Sequence, residues 1–352
     1  MLGGLWTFNV DDGFLEACCR GLKAGLLTES EYTTLTQSNS LEDMKVALLS
    51  TDYKEVFQNE PSPITVNTIK TRCQDKLVQD FFMMQSQAYY PLSKFMEFLT
   101  IPYMIDNVIL LLTGTQAEKD VEELKEKLHP LGMFSNVEAL PNVKSINDLY
   151  HYVLIDTPLG NYLSGCISEE DLTELNVEIV RNTLYKGYLE EFYAFCEKLG
   201  GETTRVMEDI LNYEADRRAI TVTINSFGTD LSRDDRTKLF PNLGLLYPVG
   251  MGNLAKATDM EGVVKAVEYV PAYKNLMNAH ASDDANERSL EEMFFDGEVD
   301  INKSAYYTQM GYAVFYSWLK LKEQEVRNLM WIGECIAQDQ KEKVNQNVIR
   351  IF

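Results

Sequence analysis

Histidine is nearly missing from this chain. His129, His151 and His280 are the only three in 352 residues, and none has a second His or Cys at ligand spacing. Metal sites are assembled from such spaced donors, so no metal site is expected. The six cysteines, Cys18, Cys19, Cys73, Cys166, Cys196 and Cys335, are scattered and form no CxxC pair. With no secretory signal to read in the first residues, that pattern favours free thiols over disulfides or zinc. There is no GxxxxGK[ST] phosphate loop and no GxSxG elbow, which removes the usual routes to nucleotide binding and acyl transfer. Gly250-Met251-Gly252 follows a proline and lacks a completing lysine or glycine, so it reads as a turn, as does His129 within HPLG. The paired carboxylates Asp11-Asp12, Glu169-Glu170-Asp171 and Asp283-Asp284 fall at helix starts or in loops, where they suit the helix dipole without any catalytic role. No catalytic residue, cofactor or substrate set emerges, and the chain reads as non-enzymatic.

Basic residues are also scarce: 32 against 54 acidic, a net charge of −22. Nucleic acids and anionic headgroups are bound by neutralising phosphates with Lys and Arg, so nucleic-acid binding is excluded. Membrane association would have to run through protein partners bearing basic loops. The most apolar run, residues 108–112 in YMIDNVILLLTG, is far short of the about 20 residues a span needs and reads as one buried helix face. These absences place the chain in the cytosol.

What the sequence does contain is a threefold repeat. Stretches beginning at Gly25, Gly132 and Gly244 align from a shared leucine onward at offsets of 105 and 114 residues. In each, a leucine (Leu35, Leu140, Leu254) is followed by Leu41, Ile146 or Met260, then by Asp43, Asp148 or Gly262. The apolar pairs Met44/Leu48, Leu149/Val153 and Val263/Val267 complete the pattern. Ser40-x-x-Asp43 and Ser145-x-x-Asp148 are capping boxes, and Asp259 takes that place in the third copy. A second element recurs later: YMIDNVILLL, EADRRAITVTI and QEVRNLMWIG put Asn107, Arg218 and Asn328 in register at offsets of 111 and 110. Each follows an aromatic-rich helix.

Other segments read as helices too. Ile69, Cys73, Leu77, Phe81, Met84 and Ala88 make one apolar stripe; Leu184, Tyr188, Phe192, Phe195 and Leu199 make another, closed by Gly200-Gly201. Ser168-x-x-Asp171 and Ser289-x-x-Glu292 open further helices. Breaks are expected at 59–63, 114–115, 129–132, 156–160, 227–230, 247–252 and 279–286, the last (AHASDDAN) being the most linker-like. Period-2 alternation is scarce. The expectation is an all-α protein of three pseudo-equivalent helical units, 1–115, 116–229 and 230–352, interlocked in one fold.

The densest charged cluster is Glu214-Ala215-Asp216-Arg217-Arg218. Glu214 and Arg218 stand four apart, as a helix-surface ion pair requires. The plain reading is a solvated or interhelical salt bridge. The functional reading is a polar lining between the three units, in which Asp106, Asn107, Arg327 and Asn328 join Glu214, Asp216, Arg217 and Arg218 about one axis.

Long strings of residues carry a resemblance along the whole chain: FNVDDGFLEA at 8–17, RGLKAGLL at 20–27, NEPSP at 59–63 and YMIDNVILLLTGT at 103–115. HPLGMF at 129–134, IDTPLG at 155–160, NVEIVRNTLYKGYLE at 176–190 and FCEKLGG at 195–201 continue it. EADRRAITVTINSFGT at 214–229, GLLYP at 244–248 and QEVRNLMWIGECIAQ at 324–338 complete it, with weaker likeness over 116–128, 139–150 and 278–311. These strings resemble the d subunits of vacuolar-type ATPases and, more distantly, the related central-stalk components of prokaryotic rotary ATPases. The resemblance implies a funnel of three units around a pseudo-threefold axis. It also implies a non-catalytic coupling role between a proteolipid rotor ring and the central shaft of the ATP-hydrolysing sector. It further implies a peripheral position on the cytosolic face of vacuolar, lysosomal or other endomembranes, with no cofactor and no homo-oligomer. The competing expectations are a helical-repeat scaffold unrelated to pumping, against which units of about 110 residues are far longer than the usual about 34–47, and a soluble enzyme with a novel site.

Overall fold

The computed structural model describes residues 4–117, 119–134, 157–164, 177–229, 231–281 and 288–352. Among them every regular element is helical and no strand occurs, as the sequence predicts. The expected caps at Ser145 and Ser168, the second repeat copy beyond residue 134, most of the AHASDDAN segment, His151 and Cys166 lie outside the described residues.

Six long helices dominate. In chain order they are α1 (Val66–Gln85), α2 (Leu92–Gln116), α3 (Val177–Leu199), α4 (Gly201–Asn225), α5 (Leu290–Tyr307) and α6 (Ala313–Ala337). Helices α2, α4 and α6 are each 25 residues long, and the three copies of the later repeated element fall inside them.

Local chemistry sets the helix ends. The Ser40/Asp43 and Ser289/Glu292 capping boxes form with both reciprocal hydrogen bonds, and Asp259 accepts from the Gly262 N–H, each satisfying donors that a first turn leaves unpaired. Thr65 caps α1 in the same way. Gly200, at φ 74°, ends α3 in the left-handed conformation that favours glycine.

Several expected breaks are helical instead. Helix α2 runs through Gly114 to Gln116. There the glycine makes room for Leu124, since a Cβ would stand 2.6 Å from its Cδ2. Pro158–Ser164 and Val249–Leu254 are short helices, so Gly250-Met251-Gly252 is a helical turn, not a loop. Pro271–Ala281 extends into the predicted linker. Conversely α1 stops at Gln85, which leaves Ala88 outside the stripe it was expected to join; Ile69, Cys73, Leu77, Phe81 and Met84 are buried as predicted. Helix α2 is apolar on more than one face. Its segment Leu92–Thr115 is long and apolar enough to cross a membrane, yet 61% of that window is buried inside the protein. A helix hydrophobic all round is commonly a core helix.

The chain packs as two compact units, residues Met1–Ser93, Leu199–Ile210 and Asn275–Phe352 in one, Lys94–Lys198 and Leu211–Lys274 in the other. In the first, α6 is the central element: Val326, Leu329, Ile332, Cys335 and Ile336 close on Tyr32, Leu35, Met44, Leu48, Tyr53, Phe57, Ile69 and Cys73. In the second, α2 and α3 interlock through aromatic rings, Phe98 stacking on Phe192 at 4.9 Å and Phe95 meeting it edge-on at 5.3 Å.

Gly132 marks a close backbone approach in the second unit. A Cβ there would lie 2.6 Å from the Met104 nitrogen, and backbone cannot give way as a side chain does. Gly132→Ala is therefore expected to lower stability by about 1–3 kcal/mol, the usual range for overpacking, seen as a lower urea midpoint. An unchanged midpoint would mean that the HPLG turn can lift away without penalty.

Candidate functional site

The eight polar residues singled out in the sequence divide by helix geometry. On α4, Glu214, Arg217 and Arg218 share a face, because positions three and four apart are neighbours while positions two apart are not. The Glu214 carboxylate takes both arginines: Arg217 Nη2 lies 2.6 Å from Oε2 and Arg218 Nε lies 2.6 Å from Oε1. The Arg218 guanidinium also stacks 3.3 Å over the Tyr185 ring on α3, and the Tyr185 hydroxyl donates to Asp106 Oδ1 on α2 at 3.0 Å. Asp106, Tyr185, Arg218, Glu214 and Arg217 thus make one polar chain across three helices. The ion pairs themselves run within α4, the links to α3 and α2 are the Tyr185 ring and its hydroxyl, and the cluster sits only partly buried.

Asp216, two positions from Glu214, points the other way and is fully buried. Its carboxylate accepts from the Leu245 N–H at 2.8 Å, the Leu246 N–H at 3.1 Å and the Tyr273 hydroxyl at 2.8 Å. Asn212, one turn earlier, accepts from the Gly244 N–H at 2.9 Å. Burial pushes the Asp216 carboxyl up to about 6, against the three donors that pull it down. Its work is to hold the 244–246 backbone, not to line an open surface.

Asn107 and Asn328, expected in the same lining, are buried as well and perform matching tasks. The Asn107 amide donates to the His129 carbonyl at 2.9 Å and its Oδ1 accepts from the His129 N–H at 2.7 Å. The Asn328 amide donates to the Ile349 carbonyl at 2.6 Å and its Oδ1 accepts from the Ile349 N–H at 3.1 Å. Each asparagine reads both polar groups of one residue 21 or 22 positions downstream, so the register found in the sequence has a shared structural meaning. An amide supplies one donor and one acceptor side by side, which a carboxylate or guanidinium does not. His129, so clamped, stacks on Tyr103 at 4.3 Å and takes the Leu131 N–H on Nδ1, which is the predicted turn role.

Arg327 faces outward. It lies 4.2 Å over the Phe295 ring of α5, donates to Gln324 at 2.9 Å and approaches Glu298 at 3.3 Å. The Arg327 side chain is 36% exposed and that of Glu298 10%, so water reaches this pair from the arginine side only.

A polar group of the same repeated element escaped notice. Lys322 and Glu325 form an ion pair 2.7 Å long with side chains 2% and 0% exposed. Glu325 also accepts from the Tyr53 hydroxyl at 2.8 Å and the Leu27 N–H at 2.5 Å, and the Lys322 ammonium sits 4.2 Å over the Tyr53 ring. The one available hint was a Lys-x-x-Glu spacing inside an otherwise apolar helix. No group of three or more His, Cys, Asp or Glu able to hold a metal ion occurs among the described residues.

The arrangement is a scaffold whose polar side chains fix backbone and helix pairs, and the proteins it is similar to match it as whole chains. The ATP synthase (C/AC39) subunit family matches residues 15–347. The V-type proton ATPase subunit d of Dictyostelium discoideum is 53% identical over 347 residues, covering 98% of this chain and 97% of the relative. The V-type proton ATPase subunit d1 of Arabidopsis thaliana is 47% identical over 346 residues, covering 98% of each. The V-type proton ATPase subunit d of Saccharomyces cerevisiae is 39% identical over 349 residues, covering 98% and 99%. With such matches spanning the full set of helices, the chain belongs to the ATP synthase (C/AC39) subunit family.

Proposed function

We propose that this protein is the non-catalytic coupling subunit of a V-type proton ATPase, seated on the cytosolic side of the proteolipid rotor ring and receiving the central shaft of the ATP-hydrolysing sector. The observation that carries the reading is the end-to-end match to subunits d, 53% identical across 98% of the chain. Three helices of 25 residues each suit a part that must transmit torque, because long packed helices resist bending. A pseudo-threefold funnel of units 1–115, 116–229 and 230–352 belongs to the same proposal. So does a place on vacuolar, lysosomal or other endomembranes, reached through protein partners. The net charge of −22 suits basic loops on those partners. A full-length match to one subunit family favours this reading over a general helical scaffold.

The test is affinity purification from gently solubilised membranes with partners counted by mass spectrometry. Ring and shaft subunits with about one copy of this chain per complex are expected; recovery of the chain alone or with unrelated helical-repeat clients would overturn the reading.

Arg327 offers the cleanest probe of a funnel lining, since its side chain is 36% exposed against 16% for Arg217 and 21% for Arg218, and circular dichroism checks that the variant stays folded beside the buried Glu298. Arg327→Glu is expected to keep ATP hydrolysis while reducing proton pumping several-fold in reconstituted vesicles. Arg218→Glu would place two carboxylates together beside Tyr185 and is expected to destabilise the second compact unit. If Arg327→Glu pumps normally, the arginine is no part of the coupling surface.

A further inference from the structure

Position 218 breaks the pattern of the repeated element. Asn107 and Asn328, its counterparts in the other two copies, are buried, and each clamps both polar groups of a residue 22 or 21 positions downstream. In the middle copy that work falls to other side chains. Lys186 donates to the Lys238 carbonyl at 2.8 Å, Glu190 takes the Asn242 N–H at 2.9 Å, and Asn212 and Asp216 take the N–H groups of residues 244–246. Those bonds hold the downstream backbone without Arg218, so an arginine stands where the other copies need an amide.

This arginine presents an unused edge. Its Nε donates to Glu214 Oε1 at 2.6 Å, and its guanidinium carbon lies 3.3 Å from the centre of the Tyr185 ring. The two contacts set the direction of the group without engaging its terminal nitrogens. Among the described residues neither Nη1 nor Nη2 of Arg218 has a hydrogen-bond partner. The side chain is 21% exposed, so most of it is covered while solvent still reaches it. Arg217 beside it differs, with Nε and Nη2 both spent on Glu214.

We infer that Arg218 is a preset receptor for one carboxylate of a partner protein, which Nη1 and Nη2 take end-on. A guanidinium offers parallel N–H groups at the spacing of two carboxylate oxygens. Fixing the fork through its Nε and through stacking removes beforehand the rotamer freedom that a loose arginine loses on binding. Charge selects the ligand as well. One carboxylate, Glu214, serves two guanidiniums, so a single added negative charge is matched here, on a chain whose net charge is −22. A dianionic phosphate fits less well. Glu214 would stand beside it, Asp106 sits at the Tyr185 hydroxyl, and Lys186 is spent on the Lys238 carbonyl.

The inference rests on the proposed coupling role, since the partner is a protein of that complex, and the experiment keeps the two apart. Arginine-selective dicarbonyl labelling, which attacks terminal guanidinium nitrogens, is read by peptide mass spectrometry on the isolated wild-type chain and on the purified complex. Arg218 should label readily in the isolated chain and at least about tenfold more slowly in the complex, as one bound charge pair implies. The Arg218→Lys complex is then treated with a carbodiimide, which joins an amine to a carboxylate in contact with it. A cross-link from position 218 to an Asp, Glu or C-terminal carboxylate of another subunit is expected. Arg218→Met keeps the stem over Tyr185 and leaves Glu214 to Arg217. It should show unchanged helical circular dichroism yet leave the complex about tenfold faster, the scale of one hydrogen-bonded charge pair. Labelling needs no variant, so it decides the matter even where a substitution impairs folding. Four results would each overturn the site and spare the coupling role: an unreactive Arg218 in the isolated chain, equal labelling in both states, a cross-link to Glu214 alone or to nothing, or wild-type dissociation of a folded Arg218→Met. If the wild-type chain is absent from the complex, both fall together.

Discussion

Glu325→Ala is expected to cost about 3–5 kcal/mol, the loss that follows when one member of a buried ion pair is removed and its partner charge is left behind. For a chain of 352 residues, with about 2.1 cal/mol/K of unfolding entropy per residue, this corresponds to a fall in Tm of roughly 5 °C. The variant strands the Lys322 ammonium, the Tyr53 hydroxyl and the Leu27 N–H together, because all three converge on that carboxylate. Glu325→Gln should cost less than alanine, as an amide oxygen still accepts one of the neutral donors, yet it leaves the lysine uncompensated. Adding Lys322→Met to Glu325→Gln removes the orphaned charge and should recover part of the loss. A double-mutant cycle by calorimetry measures that recovery, which is the coupling within the pair. If the double variant is no more stable than Glu325→Gln alone, the lysine is not held by the carboxylate, and this account of α6 is wrong.

Asp216→Ala should come close in size. It removes the acceptor of two backbone N–H groups and one tyrosine hydroxyl, each costing about 1–3 kcal/mol when buried unsatisfied. The same residue gives a pH signature of unusual sign. Its carboxyl stands at about 6 in the folded chain against an ordinary 3.8, so the folded state holds the proton more tightly than the unfolded state does. Stability from this group is therefore greatest below pH 4, falls as the pH rises through 6, and is flat above, a total of roughly 3 kcal/mol. Burial also raises the carboxyls of Asp12 and Asp80, so the wild-type slope contains their contributions as well. The informative quantity is the difference between wild type and Asp216→Asn in urea midpoints at about pH 4.5 and 6.5, on either side of most of that fall. The wild type should lose more stability over that interval; equal losses would show that the buried carboxyl does not titrate between these values.

How much of this was legible follows from how far each feature reaches along the chain. Caps such as Ser40/Asp43, Ser289/Glu292 and Asp259 span three residues, so their chemistry is written locally. The stripe from Ile69 to Met84 was equally plain, because helical periodicity repeats within one element. The end of α1 was not, since nothing in Gln85 or Ala88 announces where packing stops. Gly114 looked like a breaker by propensity alone, whereas its place is set by Leu124 arriving against the helix. The polar residues show the same division. Asn107 and Asn328 stand in register, but their buried clamp role is not legible, because their partners stand 22 and 21 residues away in segments with no pattern of their own. Asp216 was drawn into a charged run although helix geometry already separates it from Glu214 and Arg218. Glu325 was missed entirely: Leu27 and Tyr53 lie 298 and 272 residues from it, and no spacing rule reaches that far.

The position of α6 bears on how the chain is made. Tyr32, Leu35, Met44, Leu48, Tyr53 and Phe57 belong to the first 60 residues, yet the surface they close on lies within 326–336, with Val344 behind it. Ile351 is fully buried, and Arg350 pairs with Glu29. The beginning of the chain therefore emerges from the ribosome about 270–300 residues before its packing partners. At about 5–20 residues per second this leaves its apolar face uncovered for roughly 13–60 s. During synthesis that stretch needs either a chaperone or a temporary native-like pairing among its own helices, and a pause placed late in the message would lengthen the exposure without altering a single residue.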